Sequence, residues 1–86
     1  MISFLNLSYC GFQSEGILYL SQNLRLNSNL LSLNLKGNFI KYKALKALVL
    51  NLPSSIVELD LSDNMICDKG AHFISRNVIL QEGGYF

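Results

Sequence analysis

Few side chains in this chain of 86 residues could take part in covalent chemistry. The only histidine, His72, lies five residues after Cys67, and a thiol close to an imidazole is the smallest unit that nucleophilic catalysis uses. Such a pair also needs a group that orients the imidazole and N–H donors for an oxyanion, and neither is evident in the surrounding sequence. No phosphate-binding loop, zinc-ligand spacing or dinucleotide motif occurs. We therefore predict that the protein is not an enzyme, with no catalytic residues, cofactor or metal.

Three carboxylates follow one another closely in the last third of the chain, at Glu58, Asp60 and Asp63. Neighbouring residues on one side of a strand lie about 7 Å apart, so this cluster could attract a basic partner or, with more ligands, a divalent cation. A cation needs a tighter and more complete set of oxygen atoms than the sequence supplies. The cluster is therefore interpreted as a solvated acidic face or as the contact for a basic partner.

Four of the seven basic side chains lie in the middle of the chain, at Lys36, Lys41, Lys43 and Lys46. A phosphate site would need glycine-rich backbone donors or arginine forks, and only Gly37 is close by, so a solvated basic band is the favoured interpretation. The net charge of +1 and the charged fraction of 15% mark neither a disordered chain nor a nucleic-acid-binding one. We expect no nucleic-acid partner.

The charged groups are set on a hydrophobic signature that occurs three times. Its copies are Ile2-x-x-Leu5-x-Leu7-x-x-Cys10-x-Phe12, Leu30-x-x-Leu33-x-Leu35-x-x-Asn38-x-Ile40 and Ile56-x-x-Leu59-x-Leu61-x-x-Asn64-x-Ile66. The distance from Leu5 to Leu33 is 28 residues, and from Leu33 to Leu59 it is 26 residues. A period of this length indicates a solenoid. We expect one domain over residues 1–86, with repeats at about 2–29, 30–55 and 56–80 and a tail at 81–86.

Each repeat contains two kinds of hydrophobic spacing. Leucines two apart, as at Leu33 and Leu35, predict a short strand, and apolar residues four apart, as at Ile74 and Val78, predict a helix with one buried stripe. Small residues begin each stripe, where we expect the helix to approach the sheet: Gly16, Ala44 and Gly70. Because packed helices need more room than paired strands, the stack bends with the strands inside. The predicted fold is an α/β solenoid, a right-handed βα superhelix with a short parallel sheet on the concave side and helices on the convex side.

Several single residues carry expectations about local structure. Asn38 and Asn64 follow their strands, where an amide side chain can bond to loop backbone that lacks a ladder partner, and stacked copies would form a polar spine. Cys10 takes this place in the first repeat and is expected to be buried. Ser14 and Asp68 are expected to be helix N-caps, because short oxygen-bearing side chains satisfy free backbone N–H groups there.

The signature LxxLxLxx(N/C)xL resembles the leucine-rich repeat family over residues 2 to about 80. The helical half, Gly-x-x-x-Leu-x-x-x-Leu from Gly16 to Leu24, is similar to the ribonuclease-inhibitor-like subclass. The segment Leu52-Pro-Ser-Ser-Ile-Val-Glu-Leu-Asp-Leu-Ser-Asp-Asn64 also resembles leucine-rich repeats in effectors that intracellular bacteria deliver into host cells. The resemblance implies a horseshoe arc that binds another protein on its concave strand face and has no catalytic activity.

The concave strand face is the predicted site of partner binding. Its contact residues, taken from the alternation along each strand, are Phe4, Asn6, Tyr9, Asn34, Lys36, Glu58, Asp60 and Asp63. The face changes from aromatic to neutral to acidic across the three repeats, and aromatic anchors beside polar rims are typical of binding hot spots. Phe4 and Tyr9 would be that anchor, or would instead cover the open end of the core at the terminal repeat.

Other functions stay open. One is a structural spacer or self-assembling unit without a specific ligand, and another is a proteinaceous enzyme inhibitor, which only the subclass resemblance implies. An apolar C-terminal edge without a following repeat is expected to promote self-association, through Val78, Ile79, Leu80, Tyr85 and Phe86. No segment reads as a signal peptide or a membrane span. We expect no membrane partner and a cytoplasmic protein, or one secreted into a host cytoplasm if it is an effector.

Overall fold

The computed structural model describes residues 3–26 and 29–77. Within them, three strands and three helices alternate along the chain. The strands are β1 (Phe4–Asn6), β2 (Ser32–Asn34) and β3 (Glu58–Asp60), and the helices are α1 (Ser14–Leu24), α2 (Tyr42–Leu50) and α3 (Cys67–Asn77). Each strand lies within one copy of the hydrophobic signature, and each helix follows it, as predicted.

The three strands form one parallel sheet in chain order. Leu5 lies opposite Leu33, and Leu33 lies opposite Leu59, so the equivalent leucines of the signature align across the sheet. Backbone bonds continue the pairing beyond the strands, for example from the N–H of Leu7 to the carbonyl of Asn34 at 2.8 Å. The helices stack in the same order, α1 on α2 and α2 on α3. The predicted α/β solenoid of three repeats is confirmed.

The core is built from the signature leucines of the strands and the buried stripes of the helices. Leu33 and Leu59 are 1% and 0% exposed, and Leu48 and Ile74 of the helical stripes belong to the same cluster. Full burial of one such side chain contributes about 1.5–3 kcal/mol. Leu5 is only half-buried, because within the described ranges no unit stacks on the outer side of the first repeat.

The glycines at the start of two helical stripes, Gly16 and Gly70, are required by neighbouring side chains rather than by the sheet. A Cβ at Gly70 would lie 2.5 Å from Cγ2 of Ile66 and 3.0 Å from Cδ2 of Leu45. At Gly16 the nearest atom would be Cδ1 of Phe12, at 2.9 Å. The residue four positions earlier therefore fills the space in both repeats, and at Gly70 the neighbouring helix fills it too.

The predicted polar spine is confirmed. Asn38 is fully buried, and its Nδ2 donates to the carbonyls of Leu7 at 2.8 Å and Leu35 at 3.1 Å while its Oδ1 accepts the N–H of Cys10 at 3.0 Å. Asn64 repeats this arrangement one unit along, since its Oδ1 accepts the N–H of Asn38 at 2.8 Å and its Nδ2 donates to Leu35 at 2.9 Å. Each asparagine thus ties its own turn to the preceding repeat.

Three predictions about single residues are wrong. Cys10 is exposed rather than buried, because the described part of the chain places no unit on the outer side of its turn. Ser14 is not the N-cap of α1 but its first residue, since the extended backbone that a cap requires falls at Gln13, which makes no side-chain capping bond. Asp68 lies in the first turn of α3, after the helix has begun, where its carboxylate still complements the positive end of the helix dipole.

Candidate functional site

The outward side of the sheet carries two parallel rows of side chains. The register aligns Phe4, Ser32 and Glu58 in the first row and Asn6, Asn34 and Asp60 in the second. They point away from the core leucines, because strand residues alternate between the two faces of a sheet. Paired strands are about 4.7–4.9 Å apart, so the members of a row are direct neighbours. We call the six residues the strand face, together with three residues of the following turns: Tyr9, Lys36 and Asp63.

The first row changes in chemistry from one edge of the sheet to the other. Phe4 is 72% exposed and forms the apolar end. Ser32 is small and half-buried, and Glu58 ends the row with a carboxylate. An exposed aromatic ring next to hydrogen-bonding groups has the composition that binding hot spots favour. Because its ring is so exposed, Phe4 shields little of the core.

The second row is held in a fixed orientation by its own turns. Oδ1 of Asn6, of Asn34 and of Asp60 each accepts the backbone N–H two residues further on, at 2.9, 3.0 and 2.9 Å. Nδ2 of both asparagines and Oδ2 of Asp60 have no hydrogen-bond partner among the described residues, so the row offers two donors and one acceptor to a ligand. This pre-orientation was not predicted. Its signal in the sequence was the Asn or Asp at the last strand position of every repeat.

Tyr9 crosses the middle repeat to reach the third. Its hydroxyl donates a hydrogen bond to Oδ2 of Asp63 at 2.7 Å. The ring lies over Gly37, where a Cβ would overlap the ring carbons. The three residues occupy equivalent positions and have φ angles of 52°, 70° and 54°, in the left-handed region where glycine carries no steric cost. Glycine at the middle position therefore provides both the turn and the space for the ring.

Asp63 is the carboxylate that both Tyr9 and Lys36 approach in the turns beyond the strand ends. Its hydrogen bond is the main reason that the pKa of Tyr9 is raised above the ordinary value of 10.0, with further contributions from desolvation and from the charges of Asp63 and Asp60. An ionised phenolate would lose the bond and face two carboxylates. Nζ of Lys36 lies 4.0 Å from Oδ2 of Asp63, and this pair is weak because both side chains are exposed to solvent.

The repeats of this chain match a known family. The family model described as Leucine Rich repeat matches residues 1–21, 26–49 and 53–75, which correspond to the three strand-helix units. The chain belongs to the leucine-rich repeat family. Leucine-rich repeats generally mediate interactions between proteins and are typically not enzymes. No curated protein and no solved structure matches the chain.

The residues predicted to bind a partner share one side of this leucine-rich repeat sheet. Phe4 and Glu58 stand where their strands begin, and Tyr9, Lys36 and Asp63 meet in the turns beyond the strand ends. Between these two edges lies the second row, Asn6, Asn34 and Asp60. All eight therefore belong to one continuous face, and their contact with a partner stays a prediction.

The leucine-rich repeat fold places Cys67 and His72 in different clefts. Cys67 lies in a cleft with Asn64 and Ile74, whereas His72 lines a cleft between α2 and α3 with Tyr42. Among residues 3–26 and 29–77, no three His, Cys, Asp or Glu side chains are placed to hold a metal ion. None of the helices in the described part of the chain combines the length and the apolar character that crossing a bilayer requires.

A group of exposed apolar side chains outside the strand face was not predicted. Phe39 and Met65 are 61% and 55% exposed, and they line a cleft of about 630 Å³ with Lys41 and the start of α1. They stand at equivalent positions between the spine asparagine and the following isoleucine, which the signature leaves undefined. Of the lysines predicted to form a solvated band, Lys36 lies on the strand face and Lys43 is exposed on α2.

Proposed function

We propose that this leucine-rich repeat protein recognises another protein by holding an extended segment of it on the strand face. The observation that carries the proposal is the second row, in which Asn6, Asn34 and Asp60 are oriented by their own turns before any ligand arrives. Side chains that are already ordered lose little conformational entropy on binding. Their available donors and acceptor suit the backbone and the polar side chains of a peptide.

The size of the strand face favours a segment over a globular surface. The sheet has three strands of three residues each, which makes it about 10 Å wide at the usual strand spacing. Three or four residues of an extended chain, at about 3.3 Å each, cover that width. A stable interface between two globular proteins buries about 800 Å² on each partner, far more than a sheet of this size offers.

The charge pattern gives the bound segment a direction. An apolar side chain of the partner would pack on Phe4, and a lysine or arginine further along would approach Asp60 and Asp63. Complementary charges across an interface set register and reject wrong partners more than they add affinity. The preferred partner is therefore a segment with an apolar residue near one end and basic residues near the other.

Selection of binders from a display library of random dodecapeptides tests this proposal. We expect enriched peptides to carry an apolar residue and, a few positions away, lysine or arginine. Phe4→Ala and Asp60→Asn should each weaken binding about fivefold or more, as hot-spot residues do. The asparagine keeps the Oδ1 that the turn needs, while the negative charge is lost and the free acceptor Oδ2 becomes the donor Nδ2. Glu15→Gln, which removes a carboxylate from α1, is the matched control and should leave affinity unchanged.

Two results would contradict the proposal. One is a library that yields no enriched pattern. The other is a set of peptides that bind equally well to the double variant Phe4→Ala with Asp60→Asn, because such binding would use another surface.

A structural spacer is the second candidate function, and the edges of the sheet favour it. The outer edges of β1 and β3 have no neighbouring strand in the described part of the chain, and free edges are what a solenoid extends. The residues predicted to form an apolar end lie outside the described residues: Val78, Ile79, Leu80, Tyr85 and Phe86. Combining Tyr9→Phe with Asp60→Asn separates the two functions, because a binder loses peptide affinity whereas a spacer keeps its assembly by light scattering.

Two relationships more specific than membership of the leucine-rich repeat family rest on sequence resemblance alone. They are the ribonuclease-inhibitor-like subclass, with inhibition of an enzyme as its function, and a bacterial effector that acts in a host cytoplasm. Each would place the same strand face against a protein, so the peptide selection applies to all of them.

A further inference from the structure

Charge is separated between the two sides of this protein. Three carboxylates lie on the strand face, whereas α2 and α3 carry one carboxylate, Asp68, in the residues that the structure describes. The basic residues of these two helices are Lys43, Lys46, Lys69 and Arg76. Because the net charge of the chain is only +1, the basic helical side does not reflect a basic chain as a whole. We therefore expect the surface of α2 and α3 to attract anions.

Part of this charge converges on a cleft between α2 and α3. The cleft has a volume of about 450 Å³ and is lined by Tyr42, Lys69, His72, Phe73 and Arg76. The spacing of residues 69, 72 and 76 puts three basic side chains on one face of α3. Asp68 is not among the lining residues, so the cleft has no carboxylate in its wall among the described residues.

Aromatic contacts hold one of the basic groups in place. Nζ of Lys69 lies 4.7 Å from the centre of the Tyr42 ring, within the range of a cation–π contact. The Tyr42 ring in turn meets Phe73 edge to face, with ring centres 6.0 Å apart and planes at 88°. A lysine held in this way loses less side-chain entropy when it binds an anion than a freely rotating one.

We propose that this cleft binds a phosphate group, either free in solution or carried by a lipid headgroup. The guanidinium of Arg76 can donate two parallel N–H bonds to phosphate oxygens, and the ammonium of Lys69 supplies a second charge from the same helix face. Because none of the described residues that line the site is a carboxylate, the anion meets no repulsion from them. The site lies on the helical side and is independent of the strand face.

Titration of the ¹⁵N-labelled protein with inorganic phosphate, at constant ionic strength and followed by two-dimensional NMR, tests the proposal. We expect saturable shifts centred on Tyr42, Lys69 and Arg76, with a Kd of roughly 1 mM, as befits a solvent-open site with few charged bonds. Arg76→Gln and Lys69→Gln should each weaken binding about tenfold. Lys43→Gln removes the same charge from α2 outside the cleft and should change the Kd less than about twofold.

Sedimentation with phosphatidylcholine vesicles, with and without a phosphoinositide, distinguishes the two sources of phosphate. Binding to phosphoinositide vesicles that Arg76→Gln abolishes assigns the site to a lipid headgroup, and binding of free phosphate alone assigns it to a soluble ligand. The proposal is overturned if neither arm shows saturable binding. Equal losses of affinity in Lys43→Gln and Arg76→Gln would also overturn the proposal, because they would show that the anion is attracted by the overall charge and not by a specific site.

Discussion

The hydroxyl of Tyr9 donates a hydrogen bond to Oδ2 of Asp63 at 2.7 Å, although the two residues are 54 positions apart. In a solenoid each repeat normally contacts only its neighbours, so stability is carried by nearest-neighbour interfaces. This bond joins the first repeat to the third directly, over the backbone of Gly37. It therefore links the aromatic and acidic ends of the strand face, and it can be tested separately from any ligand.

The ionisation of Tyr9 reports this bond. We expect Tyr9 to ionise at a pH above the ordinary 10.0. Asp63→Asn should bring its pKa back down towards that value, because both the charge and the carboxylate acceptor are lost. Ultraviolet absorbance of tyrosinate measures the titration, and subtraction of the Tyr9→Phe curve isolates the signal of Tyr9. An unchanged curve for Asp63→Asn would show that the bond does not form in solution.

The same shift sets the sign of its effect on stability. The folded state favours the neutral phenol, so the stabilisation is fully present below the unfolded pKa of about 10 and is lost as the pH rises through the raised folded pKa. Urea denaturation measures the free energy of unfolding of the parent protein and of Tyr9→Phe at two pH values. The difference between the two proteins should be smaller above the folded pKa than at neutral pH.

Gly37 is expected to be intolerant of a side chain for two separable reasons. Gly37→Ala should destabilise the protein by about 1–3 kcal/mol, because alanine must adopt a positive φ and its Cβ displaces the Tyr9 ring. In a Tyr9→Ala background only the backbone cost remains, so the same substitution should cost less. Urea denaturation of the four proteins of this cycle measures the difference. Equal costs in both backgrounds would mean that the ring does not lie over Gly37.

Asn38 should be the most sensitive polar residue of the fold. Asn38→Ala removes a buried amide that bonds to backbone groups of two repeats, and we expect a loss of about 3 kcal/mol or more, since several buried backbone groups lose their partner. Asn51→Ala is the matched control, because Nδ2 of Asn51 makes one bond, to the carbonyl of Ala47 at 2.8 Å, and should cost about 1 kcal/mol. Thermal and urea denaturation measure the loss of stability in each variant. Equal losses for Asn38→Ala and Asn51→Ala would contradict the prediction.

The features that could be predicted from the sequence are those that every repeat shares. Leu33 and Leu59 align because a two-residue alternation leaves one register that buries them, and Asn38 bonds as expected because its turn recurs. Cys10 is not buried like Asn38, which holds the equivalent position in the second repeat. Burial depends on a neighbouring repeat, which the motif cannot specify. The bond from Tyr9 was also missed, since it depends on a left-handed backbone and a glycine in another repeat.

Gly16 in α1 and Gly70 in α3 should respond differently to the same substitution. Alanine generally stabilises a helix by about 1 kcal/mol relative to glycine, but overpacking a core costs about 1–3 kcal/mol. Gly70→Ala should be destabilising, because its Cβ meets the branched Cγ2 of Ile66 at 2.5 Å and Leu45 at 3.0 Å.

Gly16→Ala should cost less, because its Cβ meets only the half-buried ring of Phe12, which can turn aside. Ile66→Leu removes the Cγ2 branch beside residue 70, so we expect Gly70→Ala to be better tolerated in that background. Urea denaturation measures both effects. A Gly70→Ala protein as stable as its parent would mean that α2 and α3 pack less closely than the structure shows, and the cleft between them would then be wider as well.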